Sequence, residues 1–217
     1  ITGEELHRSI RNELRSLPDG LALRVSRHMA TCVELAGDDP ELAWQHAKAA
    51  FDLASRISIV RETAADAAYN AGHFAEALSH YRAVKRMSGK KDYWPVMADC
   101  ERALGRPQKA IAMASDPIVN GLSLDAKVEM RIVVAGARLD QDNPEAALAT
   151  LQCPELTKPS AAPWAARIRY AYADVLAELG RTTEALEWFH RAATADVDQI
   201  TDAEERIEEL EAEVSAE

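Results

Sequence analysis

The chain has 217 residues and a formal net charge of −11, and 47% of its residues are hydrophobic although only 6% are aromatic. This length is enough to bury a sizeable core as one domain, and the abundance of Ala, Leu and Glu favours helices over strands. No apolar run approaches the roughly 18 residues that a membrane-spanning helix needs, so we expect no membrane association.

The three cysteines, Cys32, Cys100 and Cys153, are an odd number with no close spacing. Such a set is not a disulfide framework and favours a reducing compartment, so we expect a cytoplasmic protein. The first residue is Ile1, and the opening residues lack the basic end and the apolar run of a secretory signal. This start predicts that the chain is a fragment or a processed form.

The charge is unevenly distributed along the chain. Residues 1–110 carry 16 basic against 15 acidic side chains, whereas residues 111–217 carry 9 basic against 21 acidic ones. The acidic second half argues against sequence-independent binding of nucleic acid through that surface, because phosphate repels carboxylate. The nearly neutral first half leaves room for local basic patches.

Helices are predicted from apolar periodicity and from their start and stop signals. The first has an apolar stripe formed by Leu6, Ile10, Leu14 and Leu17, and it stops at Pro18-Asp19-Gly20. Asp39-Pro40 and Asn143-Pro144 are typical helix starts. The predicted helices are 2–17, 21–37, 40–56, 58–71, 74–88, 92–104, 107–115, 124–140, 144–152, 163–179, 182–195 and 201–214.

A repeat emerges when the turns between paired helices are aligned. The turn residues, spaced 33 to 38 residues apart, are Asp38, Gly72, Gly105, Asp142 and Gly180. An alanine follows five residues after each turn residue, at Ala43, Ala77, Ala110, Ala147 and Ala185. Seven residues before each turn stands another small residue: Thr31, Ala65, Ala98, Ala135 and Ala173. Small residues in fixed columns let two helices pack closely, so the pattern predicts stacked helical hairpins.

With these columns, and with segments such as YNAGHFAEALSHYRAV and ADVLAELGRTTEALEWFHRA, the chain resembles the tetratricopeptide-repeat family. VMADCERALGRPQKA is also similar to uncharacterised actinobacterial members, which implies a cytoplasmic protein but no activity. The resemblance implies an all-α, right-handed superhelical solenoid of about five hairpins with flanking capping helices. We expect a single domain over 1–217, with an N-terminal helix in 1–23, five repeats in 24–195 and an acidic capping helix or tail in 196–217.

In this family the first helix of each pair lines a concave groove that holds a partner. The resemblance therefore implies an acidic groove with two tyrosines, binding a basic or polar segment of another protein. The expected groove residues are Glu62, Asp66, Tyr69, Asn70, Asp99, Arg102, Glu129, Tyr170 and Asp174. The Lys/Asn/Arg clamp by which some members hold a terminal carboxylate is absent, and the alternative is that these carboxylates only face water. We expect a monomer or a weak homodimer.

Two basic clusters support a different hypothesis, contact with RNA or the ribosome. One lies at the turn after residue 84 and contains Lys85, Arg86, Lys90 and Lys91; the other lies in the first two helices and contains Arg8, Arg11, Arg15, Arg24 and Arg27. No aromatic residue alternates with these arginines to stack bases. A solvated helix face is the simpler interpretation of both clusters.

No pattern of catalytic chemistry stands out in the sequence. A Gly-x-Ser-x-Gly elbow and a glycine-rich phosphate loop are both absent, so we expect neither an enzyme nor a cofactor. His28 and Cys32 lie one helical turn apart, as metal ligands can, but no third ligand has suitable spacing. We interpret these two, and likewise His73 and His80, as partly buried structural residues and expect no metal.

The last predicted helix is strongly acidic, with one apolar stripe at Ile207, Leu210 and Val214. A solenoid needs such a terminal element, apolar on one side only, to cover its last hairpin. We expect the helix to dock up to about Leu210 on the helix that carries Leu186 and Phe189, and to fray beyond it. An undocked acidic tail is the alternative.

Overall fold

The computed structural model describes residues 1–216, and every regular element in that stretch is a helix. No strand is present between residues 1 and 216, so the prediction of an all-α protein is confirmed. A 3₁₀ helix spans Pro117–Gly121. The α-helices are α1 Arg8–Leu14, α2 Asp19–Leu35, α3 Pro40–Ala54, α4 Ser58–Asn70, α5 Phe74–Ser88, α6 Trp94–Ala103, α7 Pro107–Met113, α8 Leu124–Leu139, α9 Pro144–Leu151, α10 Pro154–Thr157, α11 Pro163–Glu178, α12 Thr182–Ala195 and α13 Ala203–Ala216.

The helices group into two compact units, residues 1–93 and residues 94 onward. The sequence predicted one domain; in the structure the first unit contains α1 to α5 and the second contains α6 to α13, and each is described by itself. No helix in residues 1–216 combines the length and the apolar character needed to span a membrane. Cys32, Cys100 and Cys153 form no disulfide within residues 1–216.

The N-terminal helix is much shorter than predicted. The sequence placed it at 2–17, within an N-terminal segment 1–23, but α1 spans only Arg8–Leu14 and α2 already begins at Asp19. The Glu5 carboxylate accepts hydrogen bonds from the backbone N–H groups of Thr2 and Gly3, at 2.9 and 2.6 Å, which folds the first residues into a turn. Gly3 has φ +92° and lies against Ser26, where a Cβ would collide. A helix that began at residue 2 would lose both this turn and the close approach of Gly3 to Ser26 of α2.

In the first unit, α2 packs on α3, α3 on α4, and α4 on α5. The predicted start of α3 is confirmed, since the Asp39 side chain accepts a hydrogen bond from the Leu42 N–H at 3.0 Å and Pro40 is the first helical residue. Gly72 turns the chain between α4 and α5 with φ +78°, a conformation that disfavours residues with a Cβ. The first unit is therefore built from two consecutive antiparallel hairpins.

In the second unit, the hairpins are α6 with α7, α8 with α9, and α11 with α12. Gly105 and Gly180 have φ +72° and +70° at their turns, and Asp142 occupies the same left-handed region with φ +55°. The segment predicted as a loop after α9 contains the short helix α10. Arg169 of α11 donates hydrogen bonds to the backbone oxygens of Leu156 and Lys158, which orders this connection.

The alanine columns are buried, as the predicted register requires. The alanine five residues after each turn is at most 1% exposed in all five hairpins: Ala43, Ala77, Ala110, Ala147 and Ala185. Ala65, Ala98, Ala135 and Ala173 of the preceding column are also buried, and only Thr31 is half-buried. The expectation that Ala77 and Ala185 lie between paired helices is thus confirmed.

The acidic terminal helix α13 docks on α12. Its Ala203, Ile207 and Leu210 are buried in the same apolar cluster as Phe189, which Leu186 borders. As predicted, the docked part ends at Leu210, since Val214 beyond it is 54% exposed; the helix itself continues to Ala216. The docked helix covers the open apolar side of α12 with one face and presents its glutamates on the others.

Candidate partner-binding site

Glu62 is the most enclosed of the predicted groove residues. It lies one turn into α4, is only 6% exposed, and accepts hydrogen bonds from Ser58, Lys90 and Tyr93. Lys90 Nζ lies 2.9 and 2.8 Å from its two carboxylate oxygens, and the Tyr93 hydroxyl lies 2.7 Å from Oε2. Burial acts to raise the pKa of Glu62, but the bonds from Lys90 and Tyr93 outweigh it and lower the pKa. Glu62 is thus held as a carboxylate.

Asp66 lies one turn further along α4 and continues the same network. The Tyr81 hydroxyl of α5 donates a 2.7 Å hydrogen bond to Asp66 Oδ1, and the rings of Tyr81 and Tyr93 pack at 5.3 Å. Asp66 is exposed as a residue, yet surrounding protein desolvates its carboxyl and raises the pKa of Asp66 against the effect of Tyr81. Burial and the nearby Asp66 also raise the pKa of the Cys32 thiol to about 11.

The other two candidates of the first unit lie at the end of α4. Tyr69 is half-buried, and its ring meets the Phe74 ring edge-on at 5.7 Å. Asn70 is exposed. Helix α4 therefore carries all the candidates of the first unit, which are Glu62, Asp66, Tyr69 and Asn70. Of these, Asp66 and Asn70 are exposed.

In the second unit, Arg102 joins two carboxylates. Its Nε lies 2.8 Å from Asp99 Oδ1, and its Nη1 lies 3.3 Å from Asp140 Oδ1 at the end of α8. Burial acts to lower the pKa of Arg102, but the two aspartates outweigh it and raise the pKa. Arg102 therefore links α6 to α8, and Asp99 is not a free anion.

Glu129 contacts an arginine of the next hairpin, and Asp174 contacts an arginine of the terminal helix. Arg167 of α11 lies 2.7 Å from Glu129, and Arg206 of α13 lies 3.7 Å from Asp174. Burial raises the pKa of both carboxyls although the arginines oppose it. The two ion pairs connect α8 to α11 and α11 to α13.

Tyr170 is the remaining candidate of the second unit. Burial and the Asp202 carboxylate raise the pKa of Tyr170, whose ring packs on Phe189 at 5.3 Å.

Each predicted groove carboxylate therefore has a partner inside its own unit, which the sequence reasoning missed. The missed partners are Tyr81, Lys90, Tyr93, Asp140, Arg167 and Arg206. A signal was present, because the pairs Glu62–Lys90, Arg102–Asp140, Glu129–Arg167 and Asp174–Arg206 are separated by about one repeat. Residues one repeat apart lie at similar heights on successive hairpins, so opposite charges at that spacing predict ion pairs.

The two basic clusters have different surroundings. Lys90 of the turn cluster is bound to Glu62, whereas Lys91 beside it is exposed. In the N-terminal cluster all five arginines, at positions 8, 11, 15, 24 and 27, are exposed. No carboxylate within residues 1–216 forms an ion pair with any of the five.

The histidines considered as metal ligands pair in other ways. His28 Nδ1 lies 3.0 Å from His46 Nδ1 on α3, which makes a hydrogen bond across the first hairpin. His73 bonds Glu41 at 2.7 Å, and the His80 ring packs on Phe51 at 4.7 Å. In the described part of the chain, no three His, Cys, Asp or Glu side chains form a group that could hold a metal ion.

No model of a known protein family matches the chain, and no curated protein matches it.

Proposed function

We propose that the chain is a tetratricopeptide-like solenoid, wound as a right-handed superhelix, and that it is a non-catalytic scaffold for protein–protein interaction. The support for the fold is the burial of the same alanine in all five hairpins, each five residues after its turn. Hairpins that stack in this way present their first helices side by side, and such surfaces bind extended or helical segments. We also propose a reducing compartment such as the cytoplasm, because the three cysteines form no disulfide within residues 1–216.

The partner segment is basic or polar. The observation that carries this assignment is Glu62, whose carboxylate binds a lysine ammonium through both oxygens together with a tyrosine hydroxyl. A carboxylate that binds the Lys90 ammonium group in this geometry is suited to bind a partner's ammonium group in its place, since charge-assisted hydrogen bonds are short and strong. Asp66 and Asn70 extend this surface along α4 toward solvent.

The test is affinity capture from the native lysate, with partners identified by mass spectrometry. Asn70→Lys adds a positive charge beside Asp66, so this variant should lose the basic partner, whereas the same substitution at the exposed Asn120 should not. If capture is equal for Asn70→Lys, Asn120→Lys and the wild-type chain, the α4 surface does not bind the partner.

A second candidate function is binding of RNA or a ribosome through the N-terminal helices. The observation that favours it is the set of five exposed arginines in the N-terminal cluster, none of them in an ion pair within residues 1–216. Nuclease treatment of the lysate separates the two candidates. Nucleic-acid binding should also weaken steeply as salt rises. For each phosphate contact, the binding constant should fall by about 0.7 to 0.9 log units for a tenfold rise in salt concentration.

A further inference from the structure

The segment that leaves α5 folds back over α4. We name residues 88–93 the strap. Helix α5 ends at Ser88, where Gly89 adopts φ +70° and its N–H donates to the Lys85 carbonyl. The Lys90 N–H then donates to Ser88 Oγ at 3.2 Å. Because α5 runs antiparallel to α4, this turn brings the strap beside the first turns of α4, where Glu62 lies.

The strap carries the chemical groups that a basic partner would bring. Lys90 supplies an ammonium to both oxygens of Glu62, and Tyr93 supplies a hydroxyl to one of them. The Tyr93 ring packs on Tyr81, which in turn donates to Asp66. The strap therefore contacts the candidate site of the first unit at Glu62 directly and at Asp66 through Tyr81.

We propose that the strap is an internal ligand of the first unit, and that a basic partner segment binds at Glu62 by displacing Lys90. This inference rests on the proposed function, because it assigns a regulation to the same surface. The strap holds the site closed, and the partner opens it by supplying a cation to replace Lys90.

The exposure of the two charges supports displacement. The Lys90 side chain is 53% exposed, whereas that of Glu62 is only 7% exposed. A competing segment can therefore reach Lys90 from solvent, but an opened site leaves an enclosed carboxylate that requires a new donor. A neutral segment cannot provide a matching charge, so this arrangement selects for lysine or arginine in the partner.

The neighbouring lysine provides a matched control. Lys91 is exposed, follows Lys90 directly and makes no ion pair within residues 1–216. Removing either side chain changes the charge of the strap equally, but only removal of Lys90 takes the ammonium group away from Glu62.

The experiment measures binding of the strap as a separate peptide to the full chain. The probe is a fluorescein-labelled synthetic peptide of residues 87–93, blocked at its C-terminus, and binding is followed by fluorescence anisotropy at low salt. The proteins are wild type, Lys90→Ala, Lys91→Ala and Lys90→Ala combined with Glu62→Gln. If the strap covers the site at least nine-tenths of the time, Lys90→Ala should bind the peptide about tenfold more tightly than wild type.

Lys91→Ala should bind the peptide as weakly as wild type, and Glu62→Gln should abolish the gain in the double variant. Equal binding by Lys90→Ala and Lys91→Ala would overturn the proposal, as would a gain that survives Glu62→Gln. Circular dichroism checks each variant, and Lys90→Gln, which keeps a hydrogen-bond donor for Glu62 without its charge, replaces Lys90→Ala if that protein does not fold. Lysate capture by the wild-type chain separates the two hypotheses: capture without a Lys90 effect retains the proposed function and rejects the strap.

Discussion

The guanidinium of Arg102 lies against Gly136 of α8. A Cβ added to Gly136 would stand 3.4 Å from Arg102 Nη1 and 3.5 Å from Cζ, which is ordinary contact distance. Alanine therefore fits at position 136, and any larger side chain must push aside the arginine that links Asp99 to Asp140.

We predict that Gly136→Ala stabilises the chain by up to about 1 kcal/mol, because alanine favours the helix over glycine. Gly136→Leu should destabilise it, since the leucine displaces Arg102 and breaks its ion pairs. Urea denaturation of both variants measures the two effects. Stabilisation by leucine equal to that by alanine would show that Arg102 is not held at this position.

The second prediction concerns the alanine column. Ala77→Leu should overpack the contact between α4 and α5 and cost about 1–3 kcal/mol, because Ala77 is fully buried. Ala75→Leu, on the same helix but exposed, should change the free energy of unfolding little. Thermal unfolding of the two variants compares them directly, and equal midpoints would refute the assigned register.

The third prediction concerns the turn after α8. Asp142 has φ +55°, where a Cβ is strained, so Asp142→Gly should gain up to about 1 kcal/mol. Asp38 occupies the equivalent position of the first hairpin without a positive φ. Asp38→Gly should therefore give no such gain, because glycine only adds freedom to the unfolded chain there. Urea midpoints of the two variants test this difference.

The fourth prediction concerns pH. Burial lowers the pKa of both His28 and His80 below the usual value of 6.5. Both rings therefore take up a proton at lower pH in the folded chain than in the unfolded chain, so stability should fall as the pH drops below about 6.5. His80→Leu should reduce this fall, and His190→Gln, which changes an exposed ring, should not. Urea midpoints between about pH 7 and about pH 5 measure the slopes; identical slopes for wild type and His80→Leu would contradict the prediction.

The fifth prediction concerns the docked terminal helix. Ile207→Ala should cost about 2–5 kcal/mol, because Ile207 is buried on the α12 side of α13. Val214→Ala should cost little, since Val214 is exposed. Amide exchange should be slow around Ile207 and Leu210 in the intact chain. Fast exchange throughout α13 would show that the helix does not dock.

Most helices could be predicted from the sequence because their limits depend on local signals. The predicted 74–88 and 182–195 coincide with α5 and α12, and Asp39 caps α3 as expected. The alanine register could be predicted for the same reason, since a repeated column needs only sequence spacing. The start of the chain could not, because its short turn depends on the fit of Gly3 against Ser26 of α2.

The sequence by itself determined the helices, their turns and the small residues that let paired helices approach. The tertiary structure alone decided which charges meet. Glu62 and Lys90 are 28 residues apart, and only the antiparallel return of α5 places Lys90 over Glu62. Local periodicity constrains the backbone of each helix, whereas an ion pair requires two side chains to meet in space after the helices have packed. The carboxylates predicted as an open acidic groove therefore proved to be partnered within their own units.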